Sequence, residues 1–260
     1  MNKVYLGCIV ALLSFQVSAN LLVNPTRVEL DNQKNRSAVF SLINRSEQPS
    51  RYNIYFEDKQ MLDSGEFVTL EKDVNKFSLS KFVRYSPRRV NIEPEQAVKV
   101  RLAARVPKSI KTGEYRSYMV FHQIPLAPVK SESNKVQSDV LSLRISAFLK
   151  ISVPVILRVG ELDSELTIAD SVIDAGRHTV QVTLQRNGER STYGDLEVFD
   201  IATNQLVGVS KNIAIYTELT ERTFSIPLVQ SVAADAQLQV RYTENNKLNK
   251  PKTVTVNLAL

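Results

Sequence analysis

The residue types that most often do chemistry are scarce in this 260-residue chain. Its only histidines are His122 and His178, and its only cysteine, Cys8, lies near the start. That set cannot assemble a histidine-rich metal centre or a thiolate zinc site. The eight glycines are scattered singly. No G-x-S-x-G elbow, H-E-x-x-H pair or phosphate-cradling loop is present. His122 falls within an alternating stretch and reads as structural, so the chain reads as a non-enzyme without metal or cofactor. The pattern that stands out is one for binding. Leu141, Leu143, Ile145, Ala147 and Leu149 repeat every second residue and end on Lys150. A strand with that spacing has one apolar face. Periodicity alone leaves two uses for it open, a core strand of this protein or an open face that completes another protein's fold.

The elements that must position this stretch are strands. Period-two alternation recurs at Tyr52, Ile54 and Phe56; at Val98, Val100 and Leu102; at Val180, Val182 and Leu184; at Leu238, Val240 and Tyr242; and from Val254 to Leu260. Half-buried antiparallel strands read this way. Turn signals such as Asn187-Gly188 and Tyr193-Gly194 separate them, and no capped segment has a helical period. The expected class is all-β. Seven candidate strands fall near 21–30, 37–44, 50–57, 79–86, 96–104, 115–124 and 139–152, the number an immunoglobulin-like sandwich needs. A second set falls near 154–159, 177–186, 194–200, 205–216, 222–228, 236–243 and 252–260. The expected architecture is therefore two immunoglobulin-like β-sandwiches, 20–156 and 157–260. The short apolar junction VPVILRVG would hold them at an angle with a cleft between. Leu126 to Asp139 is polar and turn-rich, longer than an idle hairpin loop usually is.

Residues 1–19 read as a secretory signal: Lys3 is the positive start, Leu6 to Phe15 the apolar run, and Val17-Ser18-Ala19 the small-residue cleavage site. A lipoprotein signal at Cys8 is disfavoured, because the apolar run follows that cysteine rather than preceding it. Cleavage removes the only cysteine, leaving packing alone to hold the fold. Formal charge is +6 over the whole chain, and loss of Lys3 leaves one fewer. The basic residues alternate with acids rather than forming a stripe, which argues against nucleic acid as a partner. Asn35-Arg36-Ser37 and Asn44-Arg45-Ser46 fit the glycan acceptor pattern, but so short a motif carries no weight by itself.

Four stretches in order resemble the PapD-like periplasmic chaperones of pilus assembly by the chaperone-usher pathway. They are NPTRVELDNQKNRSAVFSLINRS from Asn24 to Ser46, PRRVNIEPEQAVKVRLAA from Pro87 to Ala104, GEYRSYMVFHQIP from Gly113 to Pro125, and the alternating stretch to Lys150. The resemblance covers most of the first domain, whereas the second matches only in length and strand number. It implies a periplasmic chaperone that binds, stabilises and delivers pilus or fimbrial subunits by donor-strand complementation, with an outer-membrane usher as the next partner. It further implies that Arg27 and Lys150 hold the subunit's C-terminal carboxylate in the inter-domain cleft. A guanidinium can offer paired hydrogen bonds there and an ammonium a compact second charge. Leu141, Leu143, Ile145, Ala147 and Leu149 take the place of the donor strand. On an unbulged strand Lys150 faces away from the leucines, about 17 Å beyond Ile145. Glu93 falls where the family has the acid of an inter-domain ion pair. Its arginine position, four residues after Lys150, is Pro154 here, with Arg158 as the candidate substitute. An uncovered strand edge would also permit self-association of the free form. The competing reading is a secreted structural or adhesive tandem of immunoglobulin-like domains whose alternating strand is plain core.

Overall fold

A computed structural model describes residues 21–126, 147–174, 176, 178–229, 232–233, 236–246, 248 and 250–258. The signal segment, 1–19, and Leu141, Leu143 and Ile145 lie outside the described residues. The described chain is all-β, with eighteen strands. In the first half these are β1 (Leu21–Asn24), β2 (Val28–Asp31), β3 (Ser37–Asn44), β4 (Ser50–Glu57), β5 (Lys59–Met61), β6 (Phe67–Thr69), β7 (Val83–Ser86), β8 (Arg89–Ile92), β9 (Ala97–Ala104), β10 (Gly113–Ile124) and β11 (Lys150–Val159). The second half adds β12 (Ser164–Ile173), β13 (Thr179–Gly188), β14 (Thr192–Asp200), β15 (Gln205–Ile215), β16 (Glu221–Pro227), β17 (Leu238–Glu244) and β18 (Thr253–Asn257).

Alternation builds the first sandwich. One sheet runs β1-β3-β9-β7 and the other β2-β11-β10-β4-β8. Phe40 and Leu42 on β3 and Val100 and Leu102 on β9 meet Ile54 on β4, Met119 and Phe121 on β10, and Val155 and Leu157 on β11. Phe40 and Phe121 touch edge to face, their ring centroids 5.4 Å apart, the arrangement ring quadrupoles favour. The second sandwich pairs sheet β12-β13-β16 with sheet β15-β14-β17-β18. Val180, Val182 and Leu184 from one sheet pack with Leu196, Val198, Leu238, Val240 and Tyr242 from the other.

Three differences from the expected strands have physical causes. The stretch 21–30 divides into β1 and β2, because the chain crosses between sheets at Pro25–Arg27: β1 pairs antiparallel with β3, whereas β2 pairs parallel with β11. The expected break near residue 153 is absent, and β11 runs through Pro154. Pairing with β2 begins only at Val155, so Pro154 has a ladder partner, Tyr118, on one side alone, and the missing N–H is tolerated as at an edge. Finally, β12 is not expected from the sequence, because Asp170 falls where the apolar phase of Leu166 and Ile168 would continue. The register shifts between Ile168 and Asp170, the local irregularity a bulge produces.

Strand β11 belongs to both halves of the molecule. Its residues Val153, Val155, Leu157 and Val159 face the first core, while Ile156, pointing the other way, is fully buried in the second. The hairpin of β5 and β6 repeats the link, since Met61 also joins the second core.

Candidate functional site: a cationic cleft between the sandwiches

The crossing at Pro25–Arg27 places Arg27 where the two sandwiches meet. Its side chain is only 8% exposed. Nε donates to Glu29 Oε1 at 2.9 Å, and Nη1 donates to the Tyr216 hydroxyl at 3.3 Å. The guanidinium lies 4.4 Å from the Tyr193 ring centroid and 5.7 Å from that of Tyr216. Both tyrosines belong to the second sandwich, so Arg27 is a first-domain residue packed on second-domain rings, an attraction worth about 2 kcal/mol when desolvated. Nη2 is buried and has no hydrogen-bond partner among the described residues. A buried guanidinium N–H without an acceptor is costly, and Arg27 lines the cleft between the sandwiches.

Behind Arg27 stands a buried ion ladder. Glu29 Oε2 lies 3.6 Å from Arg158 Nη1, and Arg158 Nε donates to Glu114 Oε2 at 3.0 Å. The same Glu114 oxygen accepts the Ser191 backbone N–H at 3.0 Å, which carries the ladder into the second sandwich. Burial pushes the Glu114 carboxyl up, but Arg158, the Ser191 N–H and Arg27 outweigh it and hold the group below the usual carboxylate range. Two arginines and two glutamates balance one another here.

The opposite wall comes from the β5–β6 hairpin and its surroundings. Gly65 makes the turn with φ +88°, a conformation that favours glycine, and a Cβ there would collide with the Arg222 guanidinium. Phe67 packs 5.4 Å from Tyr118 and 6.2 Å from Tyr216, centroid to centroid. Met61 N–H donates to Glu218 Oε1 at 2.8 Å, and Glu218 in turn pairs with Arg116 at 2.6 Å. Arg222 Nη1 donates to the Ala214 carbonyl at 2.8 Å. The open cleft measures about 670 Å³ and is lined by Arg27, Lys59 and Arg222, by Tyr118, Tyr193, Tyr216, Phe67 and Phe224, and by small polar and apolar groups. No acidic side chain among the described residues lines it. Its chemistry suits an anion attached to an apolar or aromatic body.

The anticipated residues are distributed as follows. Arg27 is in the cleft. Lys150, at the start of β11, is 41% exposed, and its Nζ donates to Glu57 Oε1 at 2.6 Å. Arg27 and Lys150 share no partner among the described residues. Ala147 and Leu149, the described members of the expected donor strand, are exposed and precede β11. Leu149 is nonetheless tied to β10, its carbonyl accepting the Gln123 backbone N–H at 2.8 Å. Glu93 is exposed between β8 and β9 and enters none of the ion pairs among the described residues; the acid beside Arg158 is Glu114, and the ion pair that joins the two sandwiches is Arg116–Glu218. The reason is positional: Glu93 faces solvent at one end of the β4–β8 pair, whereas Glu114 sits in β10 opposite Arg158 in the ladder. His122 is held by the Tyr55 hydroxyl at 3.3 Å, a structural contact. No group of three acidic, histidine or cysteine side chains able to hold a metal occurs among the described residues.

Sequence reading missed Lys59, Tyr193 and Tyr216. A signal for the first existed, because Met61-Leu62, Asp63-Ser64-Gly65 and Phe67-Val68 form an apolar, turn, apolar hairpin pattern. The tyrosines gave none, because nothing in their neighbourhoods announces a cation 166 or 189 residues away.

No family model and no curated protein matches this sequence. Solved structures do. The solved structures it resembles are pilus chaperones. The Escherichia coli chaperone DraB aligns over 92% of this chain and 96% of its own, at 11% identity and a TM-score of 0.48. The Pseudomonas aeruginosa CupB2 chaperone aligns over 90% and 98%, at 13% identity and a TM-score of 0.44. A chain of the CsuC–CsuE chaperone and tip adhesion subunit complex from Acinetobacter baumannii aligns over 91% and 98%, at 12% identity and a TM-score of 0.47.

Proposed function

We propose that this chain is a periplasmic chaperone that binds, stabilises and delivers pilus subunits, pinning the subunit's C-terminal carboxylate in the inter-domain cleft while lending it a strand. The observation that carries this reading is Arg27: a guanidinium buried between two sandwiches, with one N–H open, in a cleft lined by no acid. A carboxylate supplies the acceptor that Nη2 lacks. Support also comes from the four sequence stretches from Asn24 to Lys150 and from the exposed approach to β11 at Ala147–Leu149, next to the expected donor residues Leu141, Leu143 and Ile145. Lys150, at the junction of that strand with β11, is the expected second cation. Strand addition would satisfy the subunit's unpaired backbone groups and cover its exposed core, after which an outer-membrane usher would exchange this strand for the next subunit's. No nucleotide or metal enters the scheme.

The test is co-expression of this chain in the periplasm with a pilus subunit, followed by purification on a tag carried by the chaperone. Arg27→Ala is expected to leave a folded protein that no longer retains the pilin, because truncating one partner of a buried charge contact costs roughly 2–5 kcal/mol. Full retention of the pilin by Arg27→Ala would remove the anchor from the mechanism.

A further inference from the structure

The two sandwiches present four outward sheet faces, and three of them carry acids. Glu29 and Glu57 lie on the face of β2-β11-β10-β4-β8, Glu165 and Glu221 on that of β12-β13-β16, and Asp195 and Glu197 on that of β15-β14-β17-β18. The face of β1-β3-β9-β7 carries none. Alternation sends Phe40, Leu42, Val100 and Leu102 into the core, so Leu22, Val39, Ile43, Arg84, Lys99 and Arg101 point outward, with alanine, serine and asparagine between them. Strand pairing leaves the three cations unmatched. Arg101 lies between Val39 and Ser86, Lys99 beside Ser41, and Arg84 beside Ala103. None of the three enters an ion pair among the described residues. Two more exposed cations, Arg36 and Arg105, stand at one end of the face, where the Arg36 carbonyl accepts the Ala104 N–H and the Arg105 N–H donates to the Phe82 carbonyl, both at 2.7 Å. At the opposite end Glu95 is already taken by Arg45 at 2.5 Å. Leu22 and Val39 are open on the same face, 47% and 45% exposed.

We propose that this face seats the protein on the anionic headgroup plane of a phospholipid bilayer. Its shape favours a plane over a peptide or a protein knob. It is open pleated sheet, and of its outward residues only Asn24, on the edge strand, borders any of four clefts of about 600 to 740 Å³. A bilayer offers phosphates over a broad area without requiring relief to match. Its boundary also accepts apolar side chains set among cations, the mixture that Leu22 and Val39 make with Lys99 and Arg101. The long stems of lysine and arginine let the charged ends reach the phosphates while the sheet lies flat. Each such cation near an anionic surface strengthens binding about fivefold, so three contribute about a hundredfold. The attraction fades within a Debye length, which confines it to the face turned toward the lipid. The cleft is lined from β10, β11, the β5–β6 hairpin and the second sandwich, so this seating is independent of the function proposed above.

The test is co-sedimentation of the full mature chain with vesicles of phosphatidylcholine alone and of phosphatidylcholine mixed equally with phosphatidylglycerol. At about 0.1 M salt, where the Debye length is about 10 Å, the chain is expected to sediment with the mixed vesicles and to stay in solution with the neutral ones. At about 1 M salt, where that length is about 3 Å, binding is expected to be lost. Arg84→Gln, Lys99→Gln and Arg101→Gln combined are expected to weaken binding about a hundredfold. The control removes the same charge elsewhere. Lys72→Gln, Lys76→Gln and Lys211→Gln combined, all exposed and off this face, are expected to change binding by less than about threefold. Should the first triple variant not fold, Arg101→Gln alone is expected to weaken binding about fivefold. Equal binding to both kinds of vesicle, binding to neither, or equal losses in the triple variant and its control overturns the assignment. A chain that ignores the mixed vesicles but binds polyglutamate through these three cations overturns the bilayer and gives the face to an acidic protein.

Discussion

Replacing Glu114 by glutamine tests how much the buried charge ladder behind Arg27 contributes to the stability of the fold. The Glu114 side chain is 1% exposed and that of Arg158 5%, so solvent screens their contact little. Glutamine keeps the size of the side chain and an oxygen to accept the Ser191 N–H, and removes only the charge facing Arg158. Taking away one member of a buried pair costs about 3–5 kcal/mol, because the other charge stays buried. Glu29 still faces Arg158 at 3.6 Å, which sets the expectation at the lower end, about 3 kcal/mol. Urea unfolding of the mature chain at neutral pH, followed by tyrosine fluorescence, measures it. The exposed pair Arg45–Glu95, with side chains 51% and 63% exposed, is the control, and Glu95→Gln should cost less than about 1 kcal/mol. In Glu114→Gln combined with Arg158→Met the buried charge is gone as well, so the double variant should lose less than the sum of the singles, by about 1–3 kcal/mol. The sign with pH is fixed by the lowered Glu114 carboxyl. Its contribution is complete above the unfolded value, near 4.3, and is lost as pH falls through the lower folded value. A Glu114→Gln loss no larger than that of the Glu95 control, with the double variant equal to the sum, would refute this account of the ladder.

Three further substitutions probe the sandwiches themselves. Asn44 is fully buried: its Nδ2 donates to the carbonyls of Gln48 at 2.8 Å and Ile92 at 3.0 Å, and its Oδ1 accepts from Ser46 N–H at 3.0 Å and Ser46 Oγ at 2.7 Å. Asn44→Ala should therefore cost roughly 3 kcal/mol in the same urea assay, since each unmatched buried group costs about 1–3 kcal/mol. Gly194 lies between β15 and β17, where a Cβ would run into the Thr243 backbone carbonyl. Gly194→Ala should cost at least about 2 kcal/mol. Gly208→Ala should cost less, because the nearest atom it meets is the movable Leu228 Cδ2.

The all-β fold was legible because alternation is a local signal. The expected 37–44 and 50–57 match β3 and β4 as observed, and all the later strands from β13 onward were anticipated to within a few residues. Elements without that signal were missed. β5, β6 and β8 are three or four residues long, and β12 is interrupted by acids. At the site, Arg27 was legible only through its surrounding motif, and Lys59 only as part of an unremarked hairpin. The Asn44-Arg45-Ser46 motif, given no weight as a glycan acceptor, serves the fold: its asparagine is buried and bonds Ser46 and Gln48 in the β3–β4 turn and the Ile92 carbonyl on β8.

What sequence could not supply is the partition of charge. Thirty-three basic and twenty-seven acidic side chains alternate along the chain with no visible pairing. The pairs that matter join residues 44, 93, 102 or 129 positions apart, as in Arg158–Glu114, Lys150–Glu57, Arg116–Glu218 and Arg158–Glu29. Folding brings the acids behind the cleft wall, onto Arg158 and the inner side of Arg27, and keeps them out of its lining. Only Arg116–Glu218 among these pairs joins the two sandwiches; Arg158 with Glu29 and Glu114 orders the sheet behind Arg27. Among the described residues Arg222 enters no ion pair and Lys59 meets Glu57 only at 4.0 Å, and both line the cleft beside aromatic rings. Arg27 does both things at once: its Nε is held by Glu29 and its Nη1 by Tyr216 of the second sandwich, while the guanidinium lines the same cleft. A carboxylate on one edge of a planar guanidinium fixes its position and leaves the opposite edge to other partners, which a point-charge ammonium cannot do.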